Sequence, residues 1–188
     1  MAVSGSAVIR AVESEDIERL SQLAVETYVD AFGHTFGASD LGFHLERHLS
    51  PDCFRRIIEG DVVLLVEVES HLIGYVQFGA AGVPVEDSSV GSSSAGSSVG
   101  DQEVRRLYIQ RAFQRRGYGT LLMDFALNHP RLRKAARIYV DVWEHNHDAQ
   151  RFYQRYGFEV VGSRRFEVAS GVQMDLDLVM VRCSSPEM

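Results

Sequence analysis

With 188 residues, 45% of them hydrophobic and 24% charged, the chain is long enough to bury the core of one soluble domain. Its formal net charge of −7 argues against a nucleic-acid binder, which needs a basic surface to neutralise phosphates, and suits a cationic partner instead. No window approaches the roughly 18 consecutive apolar residues of a membrane span, and the first residues lack a secretory signal's charged start and long apolar middle, so a cytoplasmic location is expected.

Ala7 to Val12 is a short apolar run that reads as a first strand. Ser14 is a candidate cap for a helix whose first turn holds Glu15 and Asp16, both favourable beside its positive end. Ile17, Leu20, Ala24, Tyr28 and Ala31 then recur at helical spacing, and the helix is expected to stop near Gly33. Asp40 to Leu49 reads as a second helix, and Ser50-Pro51 opens a third with Ser at the cap and Pro at the first position. His44 and His48 have the i, i+4 spacing of a zinc-binding helix, but the acidic partner of the HExxH form is missing, so no metal is expected. Cys53 and Cys183 are too few and too far apart for a disulfide framework or a metal site.

Val62 to Val68 is a nearly unbroken run of β-branched residues and Leu suited to a buried strand, and Glu69-Ser70-His71 turns it into Leu72 to Phe78. The stretch from Gly79 to Gln102 is rich in Ser and Gly and poor in large apolar residues, so it cannot bury enough surface to order itself. It reads as a flexible insertion between two strands of one domain spanning 1–188. An acidic flap over a substrate mouth is the other reading, since it carries Glu86, Asp87 and Asp101 and no basic residue.

Glu103 to Thr120 is the stretch with the most chemical content. Val104, Leu107, Tyr108 and Ile109 predict a strand; Gln114-Arg115-Arg116-Gly117-Tyr118-Gly119 is a polar turn punctuated by glycine; Leu121 to Leu127 is helical. A strand feeding such a turn aims the helix's unpaired N–H groups and its positive dipole end at one point, which makes an anion site suited to phosphate. Gly117 and Gly119 let the backbone approach closely, and Arg115 and Arg116 add charge. Asn128-His129-Pro130 closes this helix, Arg131, Arg133, Lys134 and Arg137 form a basic cluster, and Ile138 to Trp143 reads as the next strand. Ala149 to Tyr156 predicts a short helix ended by Gly157, and Phe158 to Val161, Arg164 to Ala169 and Val172 to Cys183 read as closing strands. Asn146, Ala149 and Tyr153 stand at i, i+3 and i+7, so they are expected on one face.

Two motifs in this order, Gln114-x-x-Gly117-x-Gly119 and Asn146-x-x-Ala149-x-x-x-Tyr153-x-x-x-Gly157-Phe158, resemble those of the GNAT superfamily of acetyl-CoA-dependent N-acetyltransferases. Within it the chain is similar to the PaiA-type polyamine (spermidine/spermine) acetyltransferases. That likeness rests on Thr27-Tyr28-x-x-Ala31-Phe32-Gly33-His34-Thr35, Arg106-Leu107-Tyr108-Ile109, Val142-Trp143-Glu144-x-Asn146 and Asp175-x-Asp177-Leu178, while the Ser/Gly insertion departs from the compact pattern. The resemblance implies an α/β fold with a mixed, mostly antiparallel, splayed sheet and helices on both faces, binding acetyl-CoA at the splay.

The resemblance also implies site roles. The pantetheine arm would lie beside Leu107, Tyr108 and Ile109 and the pyrophosphate on the N–H groups of Gln114 to Thr120, that is Gln114, Arg115, Arg116, Gly117, Tyr118, Gly119 and Thr120, while Asn146 would hydrogen-bond the cofactor arm. Attack of an amine on the thioester expels a thiolate that needs a proton, and Tyr153 is the candidate acid. Glu103, Asp141 and Glu144 are candidate bases for the ammonium form of the acceptor. The expected reaction is acetyl transfer to a primary amine, a polyamine or another small cationic amine, by direct attack. A protein N-terminus or lysine as acceptor, and an acyl-CoA-binding sensor without turnover, are the alternatives; a homodimer remains open, and no membrane partner is expected.

Overall fold

The computed structural model describes residues 7–82, 100–167 and 173–184. Among the described residues, seven strands form one open sheet: β1 (Ala7–Ala11), β2 (Val62–Val68), β3 (His71–Ala80), β4 (Gln102–Ile109), β5 (Arg137–Trp143), β6 (Glu159–Glu167) and β7 (Gln173–Cys183). Their order is β1-β2-β3-β4-β5-β7-β6. The β4–β5 pair is parallel, whereas β1–β2, β2–β3, β5–β7 and β6–β7 are antiparallel. The described residues also form six α-helices: α1 (Ile17–Phe32), α2 (Ala38–Leu49), α3 (Pro51–Gly60), α4 (Tyr118–Asn128), α5 (Pro130–Arg133) and α6 (His147–Arg155). The described residues fall into two compact units, Met1–Phe78 with Arg106–His129 and Gly79–Arg105 with Pro130–Met188. No helix among them is long and apolar enough to cross a membrane.

In the first unit β2 is buried along most of its length because it is covered on both faces. Val63 and Leu65 join Leu20, Ala24, Leu49, Phe54 and Tyr75 in a core under α1 and α3, and the other face of β2 meets α4. Glu69 and Ser70 both take positive φ, the conformation of a type I′ turn, whose twist matches the antiparallel β2–β3 pair. Ser50 caps α3 as expected, accepting from Cys53 N–H, with Pro51 at the first position.

The start of α1 differs from expectation. Ser14 does not cap it; a short 3-10 turn, Ser14–Asp16, precedes the helix, and Asp16 Oδ2 accepts from Glu13 N–H at 2.9 Å. Asp16 is also gripped by Arg10 at 2.5 and 2.7 Å, and Arg10 reaches on to Glu67 at 3.0 Å. This buried carboxylate therefore ties β1, the entrance to α1 and β2 together, and Arg10 holds its carboxyl below the usual range.

In the second unit the two strands expected over Phe158–Val161 and Arg164–Ala169 are instead one strand, β6, paired to β7 with a register shift between Val160 and Gly162. A bulge absorbs the glycine that reads as a break in the sequence. β3 continues to Ala80, and Ala81 N–H bonds Asp101 C=O at 3.0 Å, so the neighbouring strand begins at the far end of the Ser/Gly stretch. Residues 83–99, on which the insertion reading rests, lie outside the described residues.

Candidate active site

The turn after β4 is built by short-range bonds. Gln110 N–H bonds Ile73 C=O at 2.8 Å and fixes the end of β4 against β3; Phe113 and Gln114 N–H then bond Gln110 and Arg111 C=O at 2.8 and 3.3 Å. The Gln114 side chain reaches back to Ile109 C=O at 3.0 Å, so this residue braces the turn. Gln114 is thus held at its main-chain N–H and at its side chain alike. Arg115 adopts φ 59° and Gly117 φ 91°, two left-handed positions within three residues. A non-glycine residue in that region is uncommon.

Gly117 is the N-cap of α4 and has no side chain to cap it, and the first turn carries no acidic residue. The first helical bond is Leu121 N–H to Gly117 C=O at 2.9 Å, so the N–H groups of Tyr118, Gly119 and Thr120 lie at the helix's positive end, ahead of its own ladder. Arg115 and Arg116 are exposed beside it, Arg116 lying 5.6 Å from the centre of the Phe113 ring. The helix is anchored from behind by Tyr118, Leu122, Met123 and Ala126, all buried. An uncapped helix end with two left-handed residues before it is suited to an anion.

Leu107, Tyr108 and Ile109 precede this turn on β4. Tyr108 stacks on Tyr75, ring centroids 5.9 Å apart, and Ile109 is buried. Sequence reasoning missed Gly74 on β3. A Cβ there would lie 2.4 Å from Ile109 Cδ1 and 2.6 Å from Tyr108 C=O, so only glycine lets the two strands approach here. Nearby, Arg106 bonds Gln77 at 2.8 Å and His48 C=O at 3.2 Å, at the C-terminal end of α2. His44 stacks on Tyr28 with centroids 4.4 Å apart and lies 4.7 Å from His48. Burial first, then His48 and Arg106, push its imidazole down to about 4, so it is neutral at pH 7.

The second unit holds Glu103, Asn146 and Tyr153. Asn146 is the N-cap of α6, its Oδ1 accepting from Ala149 N–H at 3.1 Å, so the oxygen is engaged and its amide N–H₂ is the group left for a ligand. Tyr153 is buried, its ring set edge-on to Phe158 and Phe152 at 5.6 and 5.3 Å. Gly157 ends the helix at φ 80°.

The three candidate bases differ sharply. Glu103 Oε2 accepts from Arg105 at 2.7 Å and from Gly82 N–H at 3.0 Å. Glu144 Oε1 accepts from Leu176 N–H at 2.8 Å. Asp141 on β5 has one ion pair, Oδ2 to Arg164 at 3.0 Å, while Oδ1 is buried without a hydrogen-bond partner. Burial raises the Asp141 carboxyl; Arg164 pulls it down, Glu103 and Asp177 push it up, and it stands at about 6.

The sequence profile of the acetyltransferase (GNAT) family matches residues 17–158. A curated relative, an uncharacterized N-acetyltransferase of Lactobacillus delbrueckii subsp. lactis, is 25% identical over 87% of this chain and 91% of its own length. The spermine/spermidine N(1)-acetyltransferase of Bacillus subtilis is 29% identical over 52% of this chain, and the match spans 59% of that protein. Among solved structures, the PaiA N-acetyltransferase of Thermoplasma acidophilum in complex with coenzyme A shares the fold, with a TM-score of 0.71 at 17% identity over 95% of this chain and 99% of that one.

Proposed function

This chain belongs to the acetyltransferase (GNAT) family and uses acetyl-CoA as acyl donor, and we propose that, acting as one domain over 1–188, it acetylates the primary amine of a polyamine or another small cation. The observation that carries the donor half is the turn before α4, where left-handed Arg115 and Gly117 precede an uncapped, positively polarised helix end. The diphosphate of coenzyme A sits on the N–H groups of Arg115 to Thr120, with the guanidinium groups of Arg115 and Arg116 adding charge. The pantetheine arm runs along Leu107, Tyr108 and Ile109, and the Asn146 amide donates to it.

A neutral amine then attacks the thioester carbonyl; the C–N bond forms and the C–S bond breaks. Tyr153 gives its hydroxyl proton to the departing thiolate, and the proton lost from the new amide nitrogen restores the phenol. Support for a cationic acceptor comes from the net charge of −7, from the carboxylates Glu103, Asp141 and Asp177, and from the activity named for the Bacillus subtilis relative.

The test is thiol release from acetyl-CoA across a panel of polyamines, simple amines and peptides. Tyr153→Phe is expected to slow turnover by about 100-fold while leaving acetyl-CoA affinity near wild type. Equal loss of affinity and rate contradicts the acid role, and turnover with peptides alone contradicts the small-amine acceptor.

A further inference from the structure

We infer that Asp141 is the general base that takes the proton from the ammonium form of the acceptor, with Glu103 and Arg164 as the residues that position and tune it. The inference rests on the acetyl-transfer reading above and goes beyond it, since that reading leaves the base open.

The strand registers put the participants on one face. Arg164 of β6 is directly opposite Asp177 of β7, and Val179, two residues on, is directly opposite Asp141 of β5. Side chains alternate along a strand, so Asp141, Asp177 and Arg164 project from the same side of the sheet. Glu103 of β4 joins them through Arg164, whose guanidinium lies 4.0 Å from its Oε1, and Arg105 balances Glu103 from the same strand. Asp141 therefore faces three charged elements: Arg164 on β6, Asp177 on β7, and Glu103 with Arg105 on β4.

Asp141, Asp177 and Glu103 bring three carboxylates to this face beside Arg164 and Arg105, a setting suited to an ammonium group. Among the three carboxylates weighed as base, Asp141 alone keeps a buried oxygen without a partner. Glu103 and Glu144 already accept main-chain N–H groups, which hold them in place as struts. A buried acceptor left unmatched is costly in a folded chain. An ammonium N–H would satisfy it. The Asp141 side chain as a whole is 24% exposed, although Oδ1 itself is buried.

The step balances simply. The ammonium's N–H bond breaks and its proton passes to the Asp141 carboxylate, leaving a neutral amine with its lone pair free to attack; Asp141 then returns the proton to solvent. A base is most effective when its pKa lies near the working pH. Burial and the neighbouring carboxylates lift Asp141 toward neutrality, and the sign follows: below about pH 6 the carboxyl is protonated and cannot accept. Activity should rise with pH through that point.

The experiment is the pH profile of kcat/KM for the best amine in wild type, Asp141→Asn, Glu103→Gln and Arg164→Gln, paired with carboxyl-carbon NMR of Asp141 across the same range. Asp141→Asn is expected to lower kcat/KM about 100-fold with unchanged acetyl-CoA affinity, and to abolish the acid limb near pH 6. Glu103→Gln removes a like charge and should move that limb, and the NMR midpoint, to lower pH. Arg164→Gln removes the opposite charge and should move both to higher pH. Loss of a merely structural strut would instead lower activity at every pH and leave the limb where it was. If Asp141→Asn keeps the wild-type limb, or the two charge variants shift it in the same direction, Asp141 is not the base. If wild type acetylates no amine at all, the parent reading fails, and the inference fails with it.

Discussion

Replacing Gly74 by alanine tests whether the end of β4 is held at a defined height for the donor. The new Cβ would sit 2.6 Å from Tyr108 C=O and 2.4 Å from Ile109 Cδ1, with Val66 Cγ1 at 3.1 Å. The Ile109 methyl can rotate away, but the Tyr108 oxygen is main chain and must itself retreat by about 0.8 Å to reach ordinary contact. Overpacking of this kind costs about 2 kcal/mol, and a shift near 1 Å in a strand that positions a reactant costs about 100-fold in rate. Gly42→Ala is the matched control. It lies exposed within α2 with nothing within 4 Å of its Cβ, so it should stabilise by about 0.8 kcal/mol and leave activity alone. Urea unfolding and kcat/KM for acetyl-CoA on both variants decide the matter. A Gly74→Ala protein with wild-type stability and rate would show that the approach of β3 and β4 carries no weight in the site.

Further outcomes follow from the same geometry. Gly117→Ala places a Cβ at φ 91° and should weaken coenzyme A binding about 10-fold through strain of roughly 1–2 kcal/mol, read by calorimetry. Arg115→Gln with Arg116→Gln should weaken it further and flatten its dependence on salt. Asp16→Asn should lower unfolding free energy by about 2 kcal/mol, because the Arg10 grip and the Glu13 N–H bond depend on a buried carboxylate. The Asp16 carboxyl is depressed in the folded state, so its contribution is fully present above the unfolded value of about 4 and drains away as pH falls below it. Acid unfolding of Asp16→Asn should consequently be shallower than wild type in that window.

The strand–turn–helix over 103–128 was readable in the sequence because its signals are local: β-branched residues, then two glycines, then an apolar run. Ser50-Pro51 announced α3 for the same reason. Three differences arise where distant pairing overrode local chemistry. Ser14 looks like a cap, but Asp16 takes over because Arg10 from β1 reaches it. Gly162 looks like a break, but β7 holds β6 together across it. Gly74 looks like a weak spot in a strand, and its reason, the carbonyl of Tyr108, lies 34 positions on. The left-handed Arg115 carries no compositional signal, since nothing about arginine favours that conformation. Asp141 could be named as a candidate base, yet what sets it apart from Glu103 and Glu144, a buried oxygen without a hydrogen-bond partner, shows only in the folded chain.

We propose that the main chain from Arg115 to Thr120 receives the diphosphate of coenzyme A. Amide NMR shifts on titrating coenzyme A, with pantetheine as the phosphate-free comparison, test this directly. Coenzyme A should move the amide signals of Arg115 to Thr120 more than any others, and pantetheine should leave them in place. Unmoved signals across that turn in the presence of saturating coenzyme A would contradict it.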